Sequence, residues 1–144
     1  MPESIWFTRA FRIHYKKISM QRVSFQSEFI FRASPAILYK FITTPNCLIR
    51  WFCDSVDIQG DTYIFSWDGA DEIAEMLDDI EDERVRFHWE ETDDKEYLEF
   101  TMVRSPVTGE TVLTITDYCD ENEVDDQRQL WESQIKQLRQ ETGG

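Results

Sequence analysis

The chain has 144 residues, of which 41% are hydrophobic and 14% aromatic, so it can bury a core and is not intrinsically disordered. Its formal net charge is −14, and such an acidic surface repels the phosphates of nucleic acids and the headgroups of anionic membranes. We therefore expect no nucleic-acid partner, and the lack of any long apolar run predicts no integral membrane association.

The first nineteen residues differ in character from the rest of the chain. They carry four basic residues and one acidic residue, a net charge of +3, which leaves −17 for the remainder of a chain whose total is −14. No long periodic face in residues 1–19 requires burial, and no apolar core of a secretory signal follows the basic residues. We predict that residues 1–19 are an extra leader or a mis-assigned start, with a transit-like peptide as the alternative. One domain is predicted over residues 20–144, beginning at Met20.

From Met20 the pattern changes to regular elements. Alternating side chains over residues 23–31 predict a first strand. Ser34-Pro35 is a helix-start signal, and Thr44-Pro45 predicts a second short helix that continues through Trp51-Phe52.

Six further strands are predicted from alternation and turn signals. They lie near residues 55–59, 62–67, 72–80, 84–90, 97–104 and 111–119. The pair Gly60-Asp61 is a strong hairpin signal, and the other links are also short and polar. Short links favour antiparallel neighbours, and a sheet of this many strands curls.

The last element is one amphipathic helix over residues 123–141, where apolar side chains recur at helical spacing. Its buried stripe is predicted to contain Gln127, Leu130, Trp131, Gln134, Ile135 and Leu138. Acidic residues crowd its start, where we expect them to cap free amides, and Thr142–Gly144 is a stop signal. A helix with one apolar stripe must lie across the sheet to bury that stripe. The predicted fold class is therefore α+β, with a seven-stranded curled antiparallel sheet closed by the helix.

Alternation places many bulky side chains on one face of the predicted sheet, toward the closing helix. The simpler interpretation is that they are core residues. The functional interpretation is that so many rings in a curled sheet leave an apolar cavity, which methionines can adapt to a guest. The predicted cavity lining is Trp51, Phe65, Trp67, Met76, Phe87, Trp89, Phe100, Met102, Trp131 and Ile135.

Catalytic signals are weak in this sequence. Glu90 and Glu91 are adjacent and point to opposite faces of a strand, so they cannot form an acid/base pair by themselves. Asp117 at a strand end has two interpretations, a cavity mouth or a local cap, and His88 is expected to face outward. Cys53 has no basic neighbour to lower its pKa, so it is predicted to be inert. We predict no catalytic residue and no cofactor.

The cysteines and histidines bear on compartment and metal binding. The chain has an odd number of cysteines, Cys47, Cys53 and Cys119, and they show no CxxC spacing. This favours a reducing, cytoplasmic location over a disulfide framework. Neither His14 nor His88 has a second histidine at ligand spacing, so no metal site is predicted.

Several segments taken together resemble one protein family. They are Ser34-Pro35, Thr44-Pro45, Trp51-Phe52, Tyr63–Trp67, Val85–Trp89, Leu113–Asp117 and Leu130–Ile135. Over about residues 20–144 the chain is similar to the START-like proteins of the SRPBCC superfamily, which includes the birch pollen allergen. The branch it resembles most is similar to the C-terminal domain of heat-shock-protein ATPase activators. The resemblance implies a helix-grip fold, in which the sheet grips a long C-terminal helix.

The resemblance also implies a range of functions. Members of the superfamily bind lipids, sterols, polyketides or plant hormones, and some are cyclases or hydroxylase components. Our leading hypothesis is non-enzymatic binding of a hydrophobic small molecule or lipid between sheet and helix. The alternative is a protein-interaction module, similar to a chaperone ATPase regulator, that uses its acidic surface. A cyclase-type enzyme rests on analogy alone, and a homodimer is compatible with all three hypotheses.

Overall fold

The computed structural model describes residues 21–144, and the prediction for residues 1–19 lies outside this range. In chain order its elements are β1 (Arg22–Phe31), α1 (Pro35–Thr43), α2 (Pro45–Leu48), β2 (Ser55–Gln59), β3 (Thr62–Trp67), β4 (Ala70–Ile80), β5 (Arg84–Trp89), β6 (Leu98–Arg104), β7 (Thr111–Asp120), a 3₁₀ turn (Glu121–Glu123) and α3 (Val124–Thr142). The strands form one antiparallel sheet in the order β1-β7-β6-β5-β4-β3-β2. The predicted α+β helix-grip fold is confirmed.

The strand boundaries follow local turn signals. β2 and β3 have the predicted bounds, and Gly60 between them has a φ of +64°, which glycine adopts without strain. β4 begins at Ala70, earlier than predicted, because Asp68 and Gly69 make a tight turn after which pairing resumes at once. The other strand ends differ from the prediction by a single residue.

The two short helices begin as predicted, but α2 ends early. Ser34 Oγ accepts a hydrogen bond from the Ile37 amide at 3.2 Å, and Pro35 occupies the first turn of α1. α2 ends at Leu48, so the prediction that it continues through Trp51-Phe52 is wrong. The chain must reverse there to enter β2, and it does so while keeping both of these side chains buried.

The long helix α3 has the predicted register and a different start. Its buried residues are Gln127, Trp131, Gln134, Ile135 and Leu138, whereas Leu130 of the predicted stripe is only partly buried against the core. Glu123, the residue before α3, makes no side-chain capping hydrogen bond, so the prediction of a cap there is wrong. Two acidic side chains in the first turn still interact favourably with the helix dipole. The helix ends at Thr142, and Gly143 after it has a φ of +93°, which favours glycine.

The core lies between α3 and one face of the sheet, here called the concave face. α3 packs mainly against β1 and β7, whereas α1 packs against β5 and β6, and α2 packs against β2. The long helix therefore lies mainly over one half of the sheet. No helix between residues 21 and 144 is long and apolar enough to cross a bilayer.

Candidate functional site

Strand register determines which side chains share the concave face. Phe100 on β6 pairs with Ile115 on β7, and the Phe100 ring contacts Trp131 of α3. On β4, Ala74 pairs with Tyr63 of β3 and with Trp89 of β5. Because alternate residues of a strand point to the same face, β3 and β5 each present a row of bulky side chains to this side.

Phe65 occupies the centre of these two rows. Its ring centroid lies 5.8 Å from that of Trp67 and 5.7 Å from that of Trp89. The Phe87 ring lies 6.0 Å away and meets the Tyr63 ring edge-on at 5.1 Å. Aromatic pairs attract one another at these separations. The rings of β3 and β5 therefore form one continuous apolar surface.

The turn after α2 connects this surface to α3. The Phe52 ring lies 5.0 Å from Phe65 and 5.2 Å from Trp51. Trp51 in turn lies 6.3 Å from Phe100, and Phe100 lies 5.8 Å from Trp131 on α3. We call the connected set the aromatic cluster: Trp51, Phe52, Tyr63, Phe65, Trp67, Phe87, Trp89, Phe100 and Trp131.

Three indole groups of the cluster have fixed hydrogen-bond acceptors. Trp51 Nε1 donates to the Phe41 carbonyl at 2.9 Å, and Trp67 Nε1 donates to the Phe52 carbonyl at 2.7 Å. Trp131 Nε1 donates to a carboxylate oxygen of Asp117 at 3.0 Å. A buried indole N–H needs such a partner, and each bond sets the plane of its ring. The cluster is therefore pre-organised.

The predicted lining residues come together on this face and under α3. Met76 is half-buried beside an irregularity in β4, and every other predicted lining residue is buried. Phe52 and Tyr63 complete the cluster, and the sequence signalled them through the Trp51-Phe52 pair and the alternation of β3. That these residues line a ligand cavity stays a prediction.

Two carboxylates of the concave face lie beside the aromatic cluster. Asp117 is fully buried; it pairs with Phe25 across β1 and β7, and its second oxygen accepts the Tyr118 amide at 2.8 Å. Glu72 pairs with Phe65 and so faces the same side from β4. Asp117 thus pairs locally with the Tyr118 amide, as one of its two interpretations expected, and it also joins β7 to α3 through Trp131. Its place in the alternation of β7 was the signal that it would point inward.

A buried amide ties α3 to the turn that carries Trp51. The Gln134 side chain donates to the Trp51 carbonyl, and Gln134 is itself buried. Removing a buried donor leaves its acceptor without a partner, which is costly. This bond therefore fixes α3 against the turn after α2.

The weak catalytic candidates do not converge. His88 lies on the opposite, convex face as expected, with Nδ1 2.9 Å from the Glu96 carbonyl. Glu90 is exposed, and burial raises the pKa of the Cys53 thiol to about 12, so it stays protonated at neutral pH. No group of His, Cys, Asp and Glu side chains in the described part of the chain could hold a metal ion.

The convex face is a network of charges and tyrosines. Arg86 donates to Glu99 at 2.8 Å, and its guanidinium lies 4.0 Å from the centre of the Tyr97 ring. Tyr97 also meets the Tyr118 ring of the neighbouring strand at 5.3 Å. These contacts tie β5, β6 and β7 together on the side away from α3.

Solved structures of other proteins are similar to this chain over most of its length. A solved Bacteroides fragilis protein, BfR322, is 33% identical with a TM-score of 0.64, over 87% of this chain and 94% of that one. The Aha1 dimer from Colwellia psychrerythraea has a TM-score of 0.68 at 16% identity, over 83% of this chain and 96% of that one. DynU16, a protein in the dynemicin biosynthetic locus, has a TM-score of 0.66 at 17% identity, over 81% of this chain and 46% of that one.

The Aha1 dimer and DynU16 share so little sequence identity with this chain that their similarity shows the fold alone. No curated protein matches the chain significantly. A family model described as a START-like superfamily domain matches residues 19–144. The match covers every strand and helix that builds the concave face. The chain therefore belongs to the START-like superfamily.

Proposed function

We propose that the protein binds a hydrophobic small molecule or lipid between the concave face and α3, without catalysing a reaction. The aromatic cluster supports this most directly, because it runs without a break from β3 through the turn after α2 to Trp131. Ring faces that are already oriented bind an apolar guest with little further ordering cost. Membership of a ligand-binding superfamily supports the same proposal.

Binding is tested with native mass spectrometry of the freshly purified full chain and a thermal-shift screen of apolar ligands. A ligand at 100 times its dissociation constant should add about 2.7 kcal/mol to the free energy of unfolding. Phe87→Ala on the concave face should reduce the ligand-induced shift, whereas Tyr97→Ala on the convex face should leave it unchanged. The absence of any bound mass and of any stabilising ligand would contradict the proposal.

A second candidate function is an interaction module that docks a basic partner, similar to a chaperone ATPase regulator. The observation that favours it is the concentration of charge: residues 54–99 contain 18 acidic and three basic side chains, a net charge of −15. Opposite charges steer association, and exposed ion pairs weaken with salt. A labelled basic peptide should therefore bind at low salt and dissociate at high salt.

The acidic turn between β4 and β5 offers a variant for this test. Charge reversal at Glu81 and Glu83 should weaken the peptide more than Glu132→Lys on the exposed side of α3. Binding that is absent, or that does not change with salt, would contradict this candidate.

The buried cysteines agree with a further proposal, a reducing, cytoplasmic location. Sedimentation velocity at two concentrations tests for a homodimer.

A further inference from the structure

We infer that β2, the open edge strand of the sheet, pairs with an extended segment of a partner protein in which apolar and basic residues alternate. The inference rests on the second candidate function, because it specifies where the basic partner docks and in which conformation. It does not depend on a guest at the aromatic cluster.

The two edges of the sheet are β1 and β2, and the edge at β1 is closed. The Gln26 carbonyl of β1 accepts a hydrogen bond from the guanidinium of Arg128. The Ile30 carbonyl accepts one from the guanidinium of Arg139 at 3.1 Å. Because α3 supplies both donors, the outer side of β1 is not available to another strand.

The edge at β2 has no such cover. The two-residue turn Gly60-Asp61 closes the β2–β3 hairpin, so Gln59 makes the first pair of hydrogen bonds to β3 and Asp57 makes the second. The backbone groups of Val56 and Ile58 therefore point away from β3. Within residues 21–144 no other backbone or side-chain group forms a hydrogen bond with them. Such an edge is a template for an added strand.

The two faces of β2 would present different side chains to that strand. Val56 and Ile58 lie on the concave side, partly buried against the core. Asp57 lies between them on the convex side and is exposed. Opposite residues of an antiparallel pair share a face, so the added strand should place apolar side chains beside Val56 and Ile58 and a basic one beside Asp57.

The charge around β2 selects the sign of the partner. Residues 54–83, which span β2, β3 and β4, contain 12 acidic side chains and no basic one. Asp54 and Asp61 are exposed at the two ends of β2. Pairing with β2 of a second copy would bring these carboxylates and Asp57 close to their equivalents, which is unfavourable. The occupant is therefore a basic segment of another protein and not a second copy of this chain.

The test measures binding of a labelled, end-blocked peptide of seven residues, in which lysine and valine alternate, to the full chain by fluorescence anisotropy. A peptide of the same composition with its valines contiguous should bind at least tenfold more weakly, because it cannot match both faces. In antiparallel pairing the valine amides face the free groups of Val56 and Ile58. N-methylation of the valines should therefore weaken binding at least tenfold, and N-methylation of the lysines less than threefold.

Variants of the protein test the same edge. Ile58→Pro removes an outward amide and should weaken the peptide at least fivefold more than Ile58→Ala, which loses the side chain and keeps the amide. If Ile58→Pro does not fold, hydrogen exchange in the unaltered chain replaces it. The peptide should then slow exchange of the Val56 and Ile58 amides and leave that of Asp57 unchanged. Asp57→Lys should weaken binding more than Glu81→Lys, which makes the same charge change elsewhere in the acidic segment.

The outcomes separate the inference from the function on which it rests. Equal affinity for the two arrangements of the peptide, equal effects of the two N-methylations, or equal effects of Asp57→Lys and Glu81→Lys would overturn the inference alone. Failure of every basic peptide to bind would overturn the second candidate function as well, and it would leave the proposal of an apolar ligand untouched.

Discussion

The two halves of the concave face are held in different ways. Under α3, the guanidinium of Arg128 donates to the Gln26 carbonyl, and that of Arg139 donates to the Ile30 carbonyl at 3.1 Å. The same two groups lie 5.4 and 4.9 Å from phenylalanine rings of β1. On β3 and β5, by contrast, the contacts are between aromatic rings.

This difference indicates where the fold can admit a guest. Directional hydrogen bonds fix α3 to β1, and breaking them would leave carbonyls of this edge strand without their side-chain donors. Ring contacts between β3 and β5 are individually weak dispersion contacts, which can be exchanged for contacts with another apolar molecule. Negative charge is concentrated in the second half, since residues 54–99 carry −15 whereas residues 100–144, which contain β7 and α3, carry −5.

Trp131 joins the two halves, and its removal should have the largest effect. It is 0% exposed, contacts Phe100 and donates to Asp117. Trp131→Ala should therefore lower the free energy of unfolding by about 3–5 kcal/mol, measured by urea denaturation. Glu132→Ala, on the exposed side of the same helix, should change it by less than about 0.5 kcal/mol. A loss of only about 1–2 kcal/mol for Trp131→Ala would mean that the indole borders open space.

The buried amide between α3 and the turn is the next test of the comparison. Gln134→Ala should cost about 1–3 kcal/mol, because the Trp51 carbonyl loses its donor in a buried site. Gln137→Ala is the matched control, since its side chain is exposed and reaches the Arg50 carbonyl only at 3.4 Å. Equal losses for both variants would show that the turn does not depend on this bond.

Alkaline pH should weaken both halves through their buried thiols. Burial raises the pKa of Cys53 in the turn and of Cys119 in β7 from 9.0 to about 12. The unfolded chain loses these protons near pH 9 while the folded chain keeps them, so the free energy of unfolding should fall between pH 9 and 12. Cys53→Ala should reduce the slope of that fall. An unchanged slope would mean that groups other than Cys53 cause the fall in the free energy of unfolding.

The smallest effect is expected from removal of residues 1–19. A chain that begins at Met20 should keep its melting temperature within about 5 °C, or roughly 1 kcal/mol for a domain of this size. A larger decrease, measured by differential scanning calorimetry against the full chain, would show that the segment packs on the domain. Trp6→Ala and Phe7→Ala in the full chain would then reproduce part of that decrease.

Features that depend on neighbours in sequence were predictable, and features that depend on distant contacts were not. The bounds of β2 and β3 follow from alternation around Gly60-Asp61, and the buried stripe of α3 follows from helical spacing. The early end of α2 did not follow, because burial of Trp51-Phe52 against β3 and β6 overrides the local helix signal. The Trp131 to Asp117 bond could not be predicted either, since alternation gives the face of a side chain and not its partner.

The central claim, that an apolar guest lodges at the aromatic cluster, is tested most directly by the indole N–H signals of 15N-labelled full-length protein. Titration with N-phenyl-1-naphthylamine should shift the resonances of Trp67, Trp89 and Trp131, assigned by single Trp→Phe variants, and leave the amides of Tyr97 and Tyr118 unchanged. Shifts confined to the convex face, or no shift of any of these indoles at saturating probe, would contradict the claim.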